Sequence, residues 1–344
     1  MPLRGRYGAY LSKEQAEELV SPHPDTLDLV RAWLLHHGIR PSSISASHGG
    51  SWLTVTDVLV PQANQLLSAS YQLYRNSETN DTIIRTVSFA LPAVLHAHIQ
   101  TVEPTTYFPS TRMRQTLSRR SFGAISVHAR SEKVVMARQL PGLTPSSLRW
   151  YYKANIYRPA VPDRNTVGIV GLDGEYPSQM DLTRFMSEYR SEAGGARFNV
   201  EQWNGGEYNP NSGNPSDYAN LGVQYAAAMV YPTPLIFYSV GGDSAWDANG
   251  DPIAGDLYLE WLNRILEDPF PPQTISIGYS EIERALPAPY ARSLCKLFSV
   301  LGGRGVTVLV TSGQDGVGAG DCRYANEDVK FMPEFPASCM CDVL

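Results

Sequence analysis

The residues best placed for chemistry lie in Val306-Thr307-Val308-Leu309-Val310-Thr311-Ser312-Gly313-Gln314-Asp315-Gly316-Val317-Gly318, where an apolar, β-branched run meets a polar, glycine-rich turn. A parallel strand delivers side chains to the carboxyl edge of an α/β sheet in this way, and sites are commonly built at that edge. Gly241-Gly242-Asp243 follows the apolar run 234–240 in the same manner. What such a turn can do depends on what else the chain carries. All seven histidines (His23, His36, His37, His48, His96, His98 and His128) fall in the first 128 residues. Chemistry built on later residues therefore has no imidazole, which rules out a Ser-His-Asp or Cys-His arrangement and a His-ligated metal there.

Other residue sets admit a functional and a plain structural reading. Cys295, Cys322, Cys339 and Cys341 fit no zinc spacing; they predict one disulfide or two in an oxidising compartment, with buried free thiols as the equal alternative. Asn80-Asp81-Thr82 is a glycosylation triplet, a pattern also common by chance. Gly168-Ile169-Val170-Gly171-Leu172-Asp173-Gly174 has neither dinucleotide-binding spacing nor a phosphate-loop lysine, and reads better as a strand-to-helix turn that needs small residues. Asp243, Asp247, Asp251 and Asp256 match no calcium-loop spacing and read as solvated turn residues. Trp203, Tyr208, Trp246 and Trp261 would suit a peptide groove, although aromatics near sheet ends belong more often to core or rim.

The elements that must position these groups fall into two textures. Ser12-Lys13-Glu14-Gln15 predicts a capping box opening a helix to Val20, and residues 25–37 a second helix closed by Gly38. Strands at 42–47, 51–58, 71–75 and 82–89, with a helix that has Pro61 at its first position, predict an α+β domain with an antiparallel sheet. Residues 109–142 are basic and serine-rich and read as a linker, in which Arg119-Arg120 is better taken as solvated than as a processing site. Beyond it, strands at 166–172, 198–202, 234–240, 274–279 and 306–311 alternate with helices at 177–192, 216–230, 256–267 and 289–301, the pattern of a doubly wound parallel sheet.

Composition sets the outer limits. Of 344 residues 43 % are apolar, enough for two cores. The formal charge of -6 divides unevenly: residues 1–130 carry 12 Lys+Arg against 9 Asp+Glu, and residues 131–344 carry 16 against 25. The two parts are thus +3 and -9, which favours their docking and supplies no basic stripe for nucleic acid. No apolar run reaches the roughly 20 residues of a membrane span, and no apolar stretch of an export signal follows Met1-Pro2-Leu3-Arg4.

The run Thr311-Ser312-Gly313-Gln314-Asp315-Gly316-Val317-Gly318, followed by Gly320-Asp321-Cys322 and by Phe331-Met332-Pro333-Glu334-Phe335-Pro336-Ala337-Ser338-Cys339, resembles the sedolisin family of serine-carboxyl peptidases, fungal secreted tripeptidyl-peptidases most of all. Ala219-Asn220-Leu221-Gly222-Val223-Gln224-Tyr225, Tyr231-Pro232-Thr233-Pro234 and Pro272-Gln273-Thr274-Ile275-Ser276 agree in order, and Arg6-Tyr7-Gly8, Pro22-His23-Pro24 and Pro104-Thr105-Thr106-Tyr107-Phe108 are similar to the family's pro-segment. The resemblance implies a pro-segment over 1–108, a linker over 109–142 and a partial, incomplete subtilisin-like peptidase domain over 143–344. It further implies a secreted zymogen that cleaves peptides at acid pH, with contact between pro-segment and peptidase domain. Peptides are the expected partners, and neither nucleic acid nor a membrane is.

Carried over residue by residue, the resemblance implies a loss of chemistry. The family's Glu-Ala-Asn-Leu-Asp becomes Tyr218-Ala219-Asn220-Leu221-Gly222, so Tyr218 replaces the general base and Gly222 its supporting carboxylate. Such a pair must share one helical face at i, i+4, and Asp217, one residue earlier, points about 100° away. The oxyanion-turn aspartate becomes Gln314, with Asp315 in the variable place after it. The family's nucleophilic serine and its calcium loop fall beyond Cys339, where the likeness ends, so neither a nucleophile nor a cofactor is expected in this truncated form. The reading is an inactive peptidase homologue. The alternative is an inhibitor or folding partner of an intact relative, acting through the pro-segment.

Overall fold

The computed structural model describes residues 8–75, 77, 82–108, 143–172, 175–210, 215–241, 243–246, 252–254, 257–313 and 332–339. In chain order the first elements are α1 (Lys13–Val20), α2 (Pro24–His36), β1 (Ile44–Ala46), β2 (Leu53–Val55), α3 (Val60–Leu66), β3 (Gln72–Arg75) and β4 (Thr82–Arg85). Next come α4 (Pro145–Tyr151), β5 (Val167–Leu172), α5 (Gln179–Tyr189), β6 (Phe198–Trp203), α6 (Asp217–Val230) and β7 (Leu235–Val240). The last are β8 (Asp243–Trp246), β9 (Pro252–Ala254), α7 (Leu257–Glu267), β10 (Thr274–Ile277), β11 (Glu281–Ile282), α8 (Ala288–Gly303), β12 (Thr307–Val310) and β13 (Glu334–Phe335). They form two compact units, one of residues 1–111, 242–271 and 279–344, the other of residues 112–241 and 272–278.

The second unit is a parallel α/β sheet in the order β10-β5-β7-β6. The central strands β5 and β7 are nearly continuous apolar runs, as strands covered on both faces require, whereas β6 and β10 mix apolar and polar residues. Gly168 and Gly171 lie inside β5, not in a turn after it. A Cβ on Gly171 would stand 2.3 Å from Cζ of Phe237, and one on Gly168 2.9 Å from Cε2 of Tyr238. Phe237 and Tyr238 are successive residues of β7, so they leave the sheet on opposite faces and each glycine vacates one face for a ring. On one face α5 and α6 bury Leu182, Met186, Ala219, Val223 and Ala227 against Ile169 and Phe237.

The first unit holds residues of the amino-terminal third together with α7 and α8. In α1, Ser12 and Gln15 exchange the two bonds of a capping box; α2 ends at Gly38, whose φ is +78°. Strands β1 and β2 pair antiparallel, and so do β3 and β4. Among the described residues these are two separate pairs, not the single antiparallel sheet that the alternation suggests. Val30, Leu34, Ile39 and Leu95 form a core cluster there, with Ile44, Leu53 and Val55 of β1 and β2 packed against it. Helix α7 buries Tyr258, Trp261, Leu262 and Ile265, a single stripe at i, i+3, i+4 and i+7. Trp261 meets Phe298 of α8 with ring centroids 6.2 Å apart. Cys295 of α8 is disulfide-bonded to Cys339.

Candidate functional site

Helix α6 opens at Ser216, whose Oγ accepts the N–H of Ala219 at 3.3 Å. Its buried stripe is Ala219, Val223 and Ala227, each four residues after the last. Tyr218 and Gly222 lie on the neighbouring stripe and are half-buried, whereas Asp217 shares the exposed face with Leu221. A Cβ on Gly222 would sit 3.3 Å from Cγ2 of Ile169. A side chain at residue 222 would therefore meet the apolar flank of β5. Asn220 ties α6 to the start of α5: its Oδ1 accepts the N–H of Ser178 at 2.8 Å, and its Nδ2 donates to Oδ2 of Asp181 at 3.0 Å.

In the other unit, β12 runs into Thr311-Ser312-Gly313. Oγ1 of Thr311 accepts the N–H of Gly313 at 3.2 Å. Gly313 has φ +81°, a conformation that favours glycine, and a Cβ there would lie 2.9 Å from Cδ of Glu334, whose side chain would have to move aside. Glu334 comes from β13, which pairs with β11 through Ile282. Sequence spacing gives no hint of this carboxylate behind the turn. Gln314 and Asp315 lie outside the described residues, as do Asn80, Arg119, Arg120, Asp173, Gly174, Asp247, Asp251, Asp256, Cys322 and Cys341.

The four aromatics that would suit a groove are divided among packing roles. Trp203 tilts on Tyr238 at 4.5 Å, and Tyr208 meets Tyr176 and Phe198 edge-on at 6.3 Å. Trp261 is fully buried in the other unit, while Trp246 lies on β8. Among the described residues no three His, Cys, Asp or Glu side chains gather as a metal site would need.

A buried polar network in the first unit has no local sequence signal. Arg85, 2 % exposed, donates through Nε to the carbonyl of Tyr107 at 2.6 Å and through Nη1 to that of Ile84 at 2.8 Å. The Tyr107 hydroxyl donates to Oε2 of the buried Glu281 at 3.4 Å, and its ring stacks on Tyr290 at 5.7 Å. At its other end the same segment is fixed by the N–H of Leu11 to the carbonyl of Gly303 at 3.0 Å and by Nζ of Lys13 to that of Glu267 at 2.9 Å.

A parallel α/β sheet, joined in one chain to a unit built around the amino-terminal third, is the architecture the sedolisin resemblance implies in outline. Residues 1–108 match the family described as pro-kumamolisin, activation domain. The chain is 29 % identical over 356 residues to tripeptidyl-peptidase SED2 of Arthroderma otae, covering 98 % of this chain and 58 % of that protein. It is 30 % identical over 346 residues to tripeptidyl-peptidase SED4 of the same organism (98 % and 56 %), and 29 % identical over 355 residues to the probable tripeptidyl-peptidase SED3 of Trichophyton verrucosum (98 % and 57 %). Among solved structures it is similar to a Pseudomonas sedolisin (serine-carboxyl proteinase) complexed with two molecules of pseudo-iodotyrostatin, at 20 % identity and a TM-score of 0.38 over 58 % of this chain and 51 % of that one. The likeness to sedolisin-type tripeptidyl-peptidases is thus borne out over nearly the whole chain, which spans less than three fifths of the length of these relatives.

Proposed function

We propose that this chain is a tripeptidyl-peptidase homologue without peptidase activity of its own. The observation that carries the reading is the setting of Gly222, whose α-carbon is turned to Ile169 on the stripe where the resemblance asks for a carboxylate. Tyr218, four residues earlier on that stripe, brings a phenol in place of the general base. A phenol offers a hydroxyl and no carboxylate oxygen, so the general base that the resemblance asks for is missing at this position. Asp217 does not substitute, since it is exposed on another face. The disulfide between Cys295 and Cys339 supports an extracellular setting. The test is hydrolysis of an unblocked tripeptide amide at acid pH. No turnover is expected; turnover that disappears on Asp217→Asn or Asp315→Asn would overturn the proposal.

A second reading is supported by the contacts of residues 1–108 with α7, α8 and β11. In this reading the segment acts as an inhibitor or folding partner of an intact relative that presents the same surface. The Tyr107–Glu281, Leu11–Gly303 and Lys13–Glu267 bonds support it. Titrating the whole chain against an active tripeptidyl-peptidase of the family should lower its turnover, and an unchanged rate at saturating chain would remove this reading.

A further inference from the structure

Residues 143–164 display an apolar surface on a deliberately held frame. Helix α4 is capped by Thr144, whose Oγ1 accepts the N–H of Ser147 at 3.2 Å. The chain then doubles back, with the N–H of Ala154 bonded to the carbonyl of Arg149 at 2.7 Å. Arg149 is buried, and its Nη2 donates to the carbonyls of Ala154, Asn155 and Tyr157 at 3.1, 3.4 and 3.1 Å. One desolvated guanidinium thus ties the loop 154–157 to the helix, a costly arrangement whose product is the fixed display of the side chains around it.

Those side chains are Trp150, Tyr151, Tyr152, Ile156 and Tyr157, each between 64 and 84 % exposed. Leu143 and Val161 flank them, each more than half exposed. Single exposed apolar residues are ordinary, but seven within so short a stretch mark an interaction surface. Lys153, Arg158 and Arg164 are interleaved with them and exposed, against the single acid Asp163. On a chain with a formal charge of -6 this stretch is net basic, although the exposed Glu192 lies within electrostatic reach of Arg158, and its complement is an anionic partner.

We propose that residues 143–164 make a peripheral contact with an anionic lipid surface. Trp150, Tyr151, Tyr152 and Tyr157 enter the headgroup layer, where indole and phenol rings place an apolar body and a polar tip at the right depth. Lys153, Arg158 and Arg164 meet the lipid phosphates. Ile156, the most exposed of the set, gains nothing by stacking on bases or sugars but gains by leaving water for acyl chains, which favours lipid over a polyanionic polymer. A second copy is disfavoured by the like charges that two such surfaces would bring together. Sequence reading expects no membrane partner because no apolar run is long enough to span, and among the described residues no helix is. A surface contact needs no span.

The experiment is flotation of the full chain with vesicles of phosphatidylcholine alone and of phosphatidylcholine mixed with phosphatidylserine. Binding is expected only with the mixed vesicles, weakened by salt and weakened about tenfold by Arg158→Glu. Ile156→Ser should also weaken it while leaving the circular dichroism spectrum unchanged. Tryptophan quenching by brominated lipid in the unaltered chain gives a readout that needs no variant. The proposal is overturned by absence of binding and quenching, by equal binding to heparin that Ile156→Ser leaves untouched, or by a dimer in solution that Ile156→Ser dissociates.

Discussion

The α-carbon of Gly222 faces Cγ2 of Ile169 so closely that an added Cβ would stand 3.3 Å away. This contact makes Gly222 a packing position between α6 and β5. Alanine there gains about 1 kcal/mol of helix propensity over glycine, against a contact that Ile169 can relieve by moving a few tenths of an ångström. Gly222→Ala should therefore leave stability within about 1 kcal/mol of the original chain. Gly222→Asp, which brings a charge to the same apolar flank, should cost about 1–3 kcal/mol more than alanine. Urea unfolding of the two variants compares them, and an aspartate as stable as the alanine would show that the flank is open to water.

Asn220 joins two helices through both ends of one amide. Replacing it by alanine orphans the Ser178 N–H, which Oδ1 now accepts at 2.8 Å, and releases Asp181, held by Nδ2 at 3.0 Å. Asn220→Ala should cost about 1–3 kcal/mol. Asn220→Asp keeps the acceptor for Ser178 but sets two carboxylates face to face, so its deficit should shrink as pH falls and the pair shares a proton. Denaturation midpoints at neutral and acid pH distinguish the variants; parallel pH dependence in both would reject the bridging role.

The bond between Cys295 and Cys339 closes a loop with a sequence separation of 44. Loop-entropy reasoning gives about 4 kcal/mol for a crosslink of that span. Mild reduction should accordingly lower the thermal midpoint of the unit that contains α8, and Cys295→Ser should lower it by the same amount and abolish any further response to reductant. Peptide mapping under non-reducing conditions should recover Cys295 linked to Cys339. A linkage to Cys322 or Cys341 instead would refute the pairing.

What could be read from the chain beforehand follows from the range of the forces involved. Ser12, Gln15 and Gly38 announce helix ends because capping is settled within a few residues, and the alternation after residue 166 announces a parallel sheet because periodicity is local. Gly168 and Gly171 resemble a turn from sequence because the rings that require them, Tyr238 and Phe237, lie four elements further along the chain, on β7. The Arg85–Tyr107–Glu281 network includes a bond between residues 174 positions apart and leaves no spacing to read. Likewise four cysteines offer several pairings, and only the fold brings Cys295 to Cys339. At the candidate site, Asp217 and Gly222 can be set on different faces by counting residues around a helix. That Gly222 meets Ile169, and that Gly313 meets Glu334, depends on β5 and β13 and needed the structure.

Glu103 and Tyr71 make the stability of the amino-terminal unit depend on pH in a definite direction. Burial pushes the Glu103 carboxyl above its usual value, and bonds from Thr101 Oγ1 at 3.0 Å and the Thr105 N–H at 3.2 Å offset this only in part. Burial likewise pushes the Tyr71 phenol up to about 12, with Glu103 adding to the shift; its hydroxyl donates to the carbonyl of Pro104 at 2.8 Å. A carboxyl raised on folding binds its proton more tightly in the folded state, so the folded state binds more protons than the unfolded one once pH exceeds the ordinary value of 4.5. Stability from this group is then full below that value and falls as pH rises through the raised one. For Tyr71 the same sign applies between the ordinary 10.0 and about 12. Hydrogen exchange in β3 and β4 should therefore be slowest in mild acid once the intrinsic rate is divided out, should quicken towards neutral pH, and should quicken again in alkali. Glu103→Gln should flatten the first step and Tyr71→Phe the second; persistence of the acid step in Glu103→Gln would assign it to another group.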